Sequence, residues 1–252
     1  GEVIATLGAC DSGLILIDGT CGVEVGTERV WELLNQHNLP RVIFINKLDK
    51  ENADFSTVLS EIKKRLGKKC LAFQFPIGSE ASFKESIDLL NQEALNKLAD
   101  ADKTKAEELR KELIEAVAES DDVLLEKYLE GEELPLEVIH KAARSAVLSG
   151  KIVPVFCGAA TKEIGVKDLL TGIIDFLSSP GDRGKIQGLD PKSKENKEIK
   201  ISADGSFTAQ VFKTILDPYV GQLTLFRVFS GSLSENSSFY NSTKETKERI
   251  GK

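Results

Sequence analysis

The chain has 252 residues, 41% of them hydrophobic, and a formal charge of −7. That length allows one large or two ordinary domains with a sizeable core, and the acidic balance argues against wrapping nucleic acid by bulk electrostatics. No apolar run approaches the roughly 20 residues of a membrane helix, no leader pattern opens the chain, and four cysteines without a C-x-x-C pair beside two histidines leave few ligands for a metal cluster. Reduced, mostly buried thiols and a cytoplasmic protein without a membrane or sequence-specific DNA partner are expected. The chain contains no methionine. It opens on Gly1-Glu2-Val3-Ile4 as if inside an element and stops within the pattern of Lys247-Glu248-Arg249-Ile250, so it reads as an excised fragment.

Gly13-Leu14-Ile15-Leu16-Ile17-Asp18 is a short apolar run closed by Asp-Gly, which predicts a fully buried parallel strand. A helix follows over 23–36, with Val30, Leu33 and Leu34 on one face. Val42-Ile43-Phe44-Ile45 then gives a second strand, completing a right-handed crossover unit. Residues 54–66 place Phe55, Val58, Leu59, Ile62 and Leu66 at helical spacing and end on Lys63-Lys64-Arg65, which suits the C-terminal dipole. Residues 70–76 read as a strand.

From 80 to 134 the chain is charged and expected to be helical, with a capping box from Thr104 to Glu107 and Gly131 ending a helix. The acidic cluster Glu126, Glu130, Glu132 and Glu133 reads as a solvated face. After Pro135 a helix reaches Leu148, and Ile152-Val153-Pro154-Val155-Phe156 is a second short buried strand. A helix over 166–177 stops before Ser178-Ser179-Pro180. Residues 181–205 are polar and glycine-rich, as in a linker. Beyond them, short strand-like runs at 207–213, 223–229 and 238–241 mark the start of a small β domain.

Asn46-Lys47-Leu48-Asp49 stands at the carboxyl end of the second strand, where ligands of open parallel sheets bind. The spacing N-K-x-D fits a guanine reader. The Asp49 carboxylate can accept from the ring N1–H and the exocyclic amine, which adenine cannot offer together, so facing adenine would leave a desolvated carboxylate unpaired. The Asn46 amide can reach the base edge or tie neighbouring loops, and the Lys47 stem can lie along the base face. Gly158-Ala159-Ala160 follows the short buried strand at 152–156, where small residues let the backbone approach and an N–H can donate to guanine O6. About 110 residues separate the two loops, so an inserted subdomain must lie between them.

This order of motifs resembles the elongation factor G family of translational GTPases across essentially the whole chain. The resemblance is carried by Thr27-Glu28-Arg29-Val30-Trp31, by Pro40-Arg41-Val42-Ile43-Phe44-Ile45-Asn46-Lys47-Leu48-Asp49, by Glu126-Lys127-Tyr128-Leu129 and by Pro154-Val155-Phe156-Cys157-Gly158-Ala159-Ala160 with Gly165-Val166. In the β segment it rests on Asp217-Pro218-Tyr219-Val220-Gly221, Arg227-Val228-Phe229-Ser230-Gly231 and Glu248-Arg249-Ile250-Gly251-Lys252. Val25-Gly26 and Ala159, which stands where the family usually has serine, are similar to a divergent paralogue.

The resemblance implies an α/β fold: a P-loop-GTPase-type parallel sheet over residues 1–180, an inserted α/β subdomain at about 54–145, a linker at 181–205 and a partial β-barrel domain at 206–252. It implies GTP or GDP as ligand, with Asn46, Lys47 and Asp49 on the base and ribose side, the Ala159 and Ala160 backbone at O6, and Gly158 in the same nucleotide-binding turn. It also implies the ribosome as partner, with the insert meeting the stalk protein of the large subunit, and coupling of GTP hydrolysis to tRNA and mRNA translocation in the intact parent.

No G-x-x-x-x-G-K-[ST] phosphate loop is present. Gly67-Lys68, Gly150-Lys151 and Gly184-Lys185 lack the following hydroxyl residue. Mg²⁺ is therefore expected only in the intact parent, and this chain alone is expected not to hydrolyse GTP. His37 and His140 have no nucleophile beside them in the pattern and read as structural or solvent-facing. A non-hydrolysing ribosome-binding module, or a ribosomal-protection or release-factor type of GTPase, are the competing readings.

Overall fold

The computed structural model describes residues 1–132, 134–190, 193 and 195–250. Glu133 of the acidic cluster and the terminal Gly251-Lys252 lie outside them. The chain divides into two compact units, one formed by Ser12–Leu177 and the other by Gly1–Asp11 together with Ser178–Lys252.

In chain order, a short helix α1 (Glu2–Leu7) precedes β1 (Gly13–Asp18), α2 (Val25–Gln36), β2 (Arg41–Asn46), α3 (Phe55–Arg65), β3 (Cys70–Ala72), β4 (Gln74–Ile77), β5 (Glu85–Asp88) and α4 (Gln92–Leu95). There follow α5 (Asp100–Ala118), α6 (Asp122–Leu129), α7 (Leu136–Leu148), β6 (Val153–Cys157), α8 (Val166–Phe176), α9 (Pro180–Arg183), β7 (Lys185–Leu189), β8 (Asn196–Lys200), β9 (Thr208–Asp217), β10 (Gly221–Ser230), β11 (Ser238–Asn241) and β12 (Thr246–Arg249).

The larger unit is built on a parallel four-stranded sheet of order β1-β2-β6-β3. The interior strands are apolar without alternation, as strands covered on both faces must be: every residue from Arg41 to Ile45 and from Val153 to Cys157 is buried. β1 departs from the expected full burial. Only Ile15 and Ile17 are buried, while Leu14 and Leu16 are exposed. It is an edge strand, paired on one side only among the described residues, and its run of apolar residues does not reveal which faces are covered. α8 lies close on β6, since a Cβ at Gly172 would fall 2.2 Å from the Phe156 ring.

The expected single strand at 70–76 is two strands. β3 joins the parallel sheet, and β4 leaves it to pair antiparallel with β5. β5 falls inside the region expected to be helical, because Glu85-Ser86-Ile87-Asp88 carries one apolar residue and its strand state comes from pairing with β4. The expected capping box at Thr104 is absent. α5 already begins at Asp100, with acidic Asp100 and Asp102 in its first turn, and the Thr104 hydroxyl donates within the helix to the Asp100 carbonyl. Gly131 and Gly150 take positive φ beyond the ends of α6 and α7.

In the smaller unit, β9 and β10, of ten residues each, form an antiparallel hairpin with register shifts at Leu225/Phe226 and Val228/Ser230. The stretch 181–205, expected as a linker, carries a second hairpin of β7 with β8. Ile186 and Ile199 face each other across it; the charged residues around them hid this pattern. Residues 1–11 belong with this unit rather than with the sheet-bearing one. Arg227 bonds the Ala9 carbonyl and the Asp11 carboxylate and lies over the Phe229 ring, and Lys213 pairs with Glu2.

Candidate functional site

Register brings three loops together. Asp18 faces Asn46 and Ile45 faces Cys157 across the parallel ladders, so the residues that follow β1, β2 and β6 leave the sheet side by side. Backbone bonds then lock them. The Gly19 N–H donates to the Asn46 carbonyl at 2.8 Å, Gly158 N–H to the Ile45 carbonyl at 2.9 Å, and Leu48 N–H to the Gly158 carbonyl at 3.2 Å. Glycine is required at 158 because a Cβ there would lie 2.3 Å from the Ile164 carbonyl oxygen and 2.7 Å from the Phe44 ring.

Asn46 is the tie between loops. Its Oδ1 accepts from the Lys47 N–H at 2.8 Å and from the Ala160 N–H at 2.9 Å, 114 residues away. Two converging donors require an acceptor between them, which fixes the side-chain amide's orientation. Its Nδ2 group is left as the donor. Lys47 has φ +63, which turns the chain sharply after β2. Its ammonium pairs with Asp18, whose other oxygen accepts from the Thr20 N–H and hydroxyl. The hydrogen bond from Lys47 lowers the Asp18 pKa and, reciprocally, raises that of Lys47.

Asp49 is the most constrained member of the site. Its side chain is 2% exposed. Oδ2 lies 3.6 Å from the Lys50 ammonium and 3.4 Å from that of Lys162, while Oδ1 is buried with no hydrogen-bond partner among the described residues. A buried carboxylate oxygen without a donor is costly unless a ligand supplies one. Such an oxygen is suited to a ligand edge that presents N–H donors.

The Gly158–Ala160 turn is shaped by an antiparallel bridge between Ala159 and Ile164, with N–H to carbonyl bonds of 3.0 and 3.2 Å in the two directions. Glu163 and Gly165 supply the left-handed backbone that closes it. As a result, both N–H groups read from the sequence as O6 donors are engaged within the protein: Ala159 with Ile164, and Ala160 with Asn46. Asp18, Lys50 and Lys162 were not singled out in the sequence. The Asp-Gly that closes β1 was a signal for the first, but the lysines have no pattern of their own.

His37 caps α2 in an exposed position. His140 is half-buried, stacked on Phe176 at 5.9 Å and 13°, in a crevice of about 130 Å³ that Asp88 and Asp168 also line. All four cysteines are free, but only Cys70 and Cys157 are buried, and Cys21 is exposed, so burial of the thiols holds for half of them. Burial pushes the Cys70 thiol up to about 12 and that of Cys157 further in the same direction. Among the described residues there is no cluster suited to a metal ion, and no helix is long and apolar enough to cross a membrane.

The family model described as Elongation factor Tu GTP binding domain matches residues 1–179, and that of Elongation factor G domain 2 matches residues 206–252. The chain is 41% identical over 263 residues to an elongation factor G of Dehalococcoides mccartyi and 43% identical over 265 residues to one of Ureaplasma urealyticum. Each alignment covers all of this chain and 38% of the relative. A crystal structure of a Thermus thermophilus protein superposes with a TM-score of 0.78 at 31% identity, covering 99% of this chain and 36% of that one.

Proposed function

Because the chain belongs to the family of the elongation factor Tu GTP binding domain, we propose that it is the base-reading part of a guanine-nucleotide-dependent translation factor of the elongation factor G type. The observation that carries the reading is the buried, partnerless Oδ1 of Asp49 at the carboxyl end of the sheet. In this reading Asp49 accepts from the guanine N1–H and 2-amine, Asn46 offers its Nδ2 group, and Lys47 exchanges Asp18 for the base face. Gly158, Ala159 and Ala160 shape the floor, and an O6 contact there requires the Ala160 N–H to be shared with Asn46.

Phosphate and Mg²⁺ contacts supply the charge stabilisation of phosphoryl transfer. With no phosphate-loop sequence in these 252 residues, the chain alone is proposed to bind the base weakly and not to hydrolyse GTP. GTP-driven translocation on the ribosome, with the insert facing the stalk protein, belongs to the longer protein implied by relatives of which this chain spans 38%. The test is ligand-observed NMR with millimolar guanosine, xanthosine and adenosine. Guanosine alone is expected to bind the unaltered chain. Asp49→Asn, whose amide offers a donor to the xanthine 2-oxo group, is expected to favour xanthosine. Equal response to guanosine and adenosine would overturn the reading.

A further inference from the structure

Asp49 presents two unlike oxygens. Oδ2 is approached by two ammonium groups, Lys162 at 3.4 Å and Lys50 at 3.6 Å, whereas Oδ1 is buried without a donor among the described residues. The cations are about equally exposed, Lys50 at 56% and Lys162 at 47%, and differ in where they come from. Lys50 is the next residue in sequence. Lys162 comes from the other loop, where three constraints fix its backbone: its N–H donates to the Ala159 carbonyl at 3.0 Å, the Ala159–Ile164 bridge closes the turn around it, and Glu163 follows in the left-handed region. The Asn46 side chain further binds that turn to the N-K-x-D loop. The backbone that carries Lys162 is therefore set by the same framework that sets Asp49, and its ammonium reaches Oδ2 from there.

A carboxylate with a 2% exposed side chain needs a counter-charge, since a charge left without a partner in the interior is strongly destabilising. Cations placed on one oxygen also remove the symmetry of the group. The charge is shared by both oxygens, and the two ammonium groups fix the plane of the carboxylate by attracting the oxygen that stands beside them.

We infer that Lys162, assisted by Lys50, is a positioning residue for guanine selectivity: it holds the Asp49 carboxylate on its Oδ2 side and so sets the orientation in which the group meets the base. The inference rests on the base-reading function proposed above. It assigns part of base discrimination to a side chain of the loop after β6, outside the N-K-x-D sequence.

Two readouts test it. The first needs no nucleoside: a thermal double-mutant cycle of Lys162→Ala with Asp49→Asn. Lys162→Ala is expected to lower the unfolding midpoint by about 2 °C when Asp49 is present and to leave it unchanged when Asn replaces Asp49. Equal loss in both backgrounds would overturn the clamp. The second is the guanosine-to-adenosine affinity ratio by ligand-observed NMR. Lys162→Ala is expected to reduce it about fivefold, the scale of coupling between neighbouring groups, and Lys162→Arg to restore it. An unchanged ratio in Lys162→Ala, with discrimination intact in the unaltered chain, would sink this inference alone. No discrimination in the unaltered chain would sink the base-reading proposal and this inference with it.

Discussion

Gly158 shows how tightly single residues define the site. A methyl group there meets the Ile164 carbonyl at 2.3 Å and the Phe44 ring at 2.7 Å, and neither belongs to a flexible side-chain end. Gly158→Ala is therefore expected to destabilise by about 2 kcal/mol, read from a urea midpoint, and to separate the two base-side loops. That these loops face each other was legible from two strand-ending motifs. The division of labour within them was not. The sequence offers Asn46 either to the base or to a neighbouring loop, and only the register of β2 with β6 places the Ala160 N–H where Asn46 accepts it. The counter-charges on Asp49 were equally hidden, because Lys162 is one lysine among many until the turn at 159–164 is drawn.

Asp88 carries a second consequence at this scale. It lines the crevice beside His140; the residue as a whole is exposed, but the protein packed around its carboxyl raises its pKa. A carboxyl raised on folding binds its proton more tightly in the native state. Its contribution is present below the ordinary carboxylate range and is lost as pH rises through the folded value. Asp88→Asn keeps the acceptor that takes the Leu90 N–H at 2.8 Å but removes the charge. The variant is expected to be at least as stable as the parent at pH 7, with the two curves converging below about pH 4. Greater stability of the parent at neutral pH would contradict the assignment.

Among the elements, α3 was the most completely readable. Its buried stripe of Phe55, Val58, Leu59 and Ile62 follows the spacing, and Asp54 caps it by accepting from the Thr57 N–H at 2.6 Å. Bonds from the Thr57 hydroxyl and N–H hold the Asp54 pKa below its usual value. Here the sign is opposite to that of Asp88: the contribution is present above the ordinary carboxylate range and disappears as pH falls through the lowered value. Asp54→Ala is expected to cost about 1 kcal/mol at pH 7, and the difference should vanish in acid, as a pH series of urea melts would show. β5 and the β7–β8 hairpin escaped the sequence for the converse reason. Their strand state comes from a partner, not from their own apolar content, and Glu85-Ser86-Ile87-Asp88 looks like any polar segment until β4 lies beside it.

At the scale of the whole molecule, the chain leaves the smaller unit at Asp11, builds Ser12–Leu177, and returns at Ser178, where the Ser178 hydroxyl donates to the Asp11 carbonyl at 2.8 Å. The two units are held by different means. The larger buries β2 and β6 on both faces between neighbouring strands, with Val42, Ile43, Ile45 and Val155 fully enclosed. The smaller consists of two-stranded sheets whose side chains are largely exposed, including Val211, Leu216 and Val220 along and beside the β9–β10 hairpin. Isolated hairpins are marginal in water because each strand has one partner and little apolar cover. Protection against amide hydrogen exchange follows local opening. The slowest exchange is therefore expected at the amides of β2 and β6, and exchange at β7, β8, β11 and β12 should be faster by orders of magnitude. Cleavage by a dilute protease should fall first in the smaller unit. Uniform protection across both units would mean that the hairpins open only when the parallel sheet does, and that the molecule unfolds as one body.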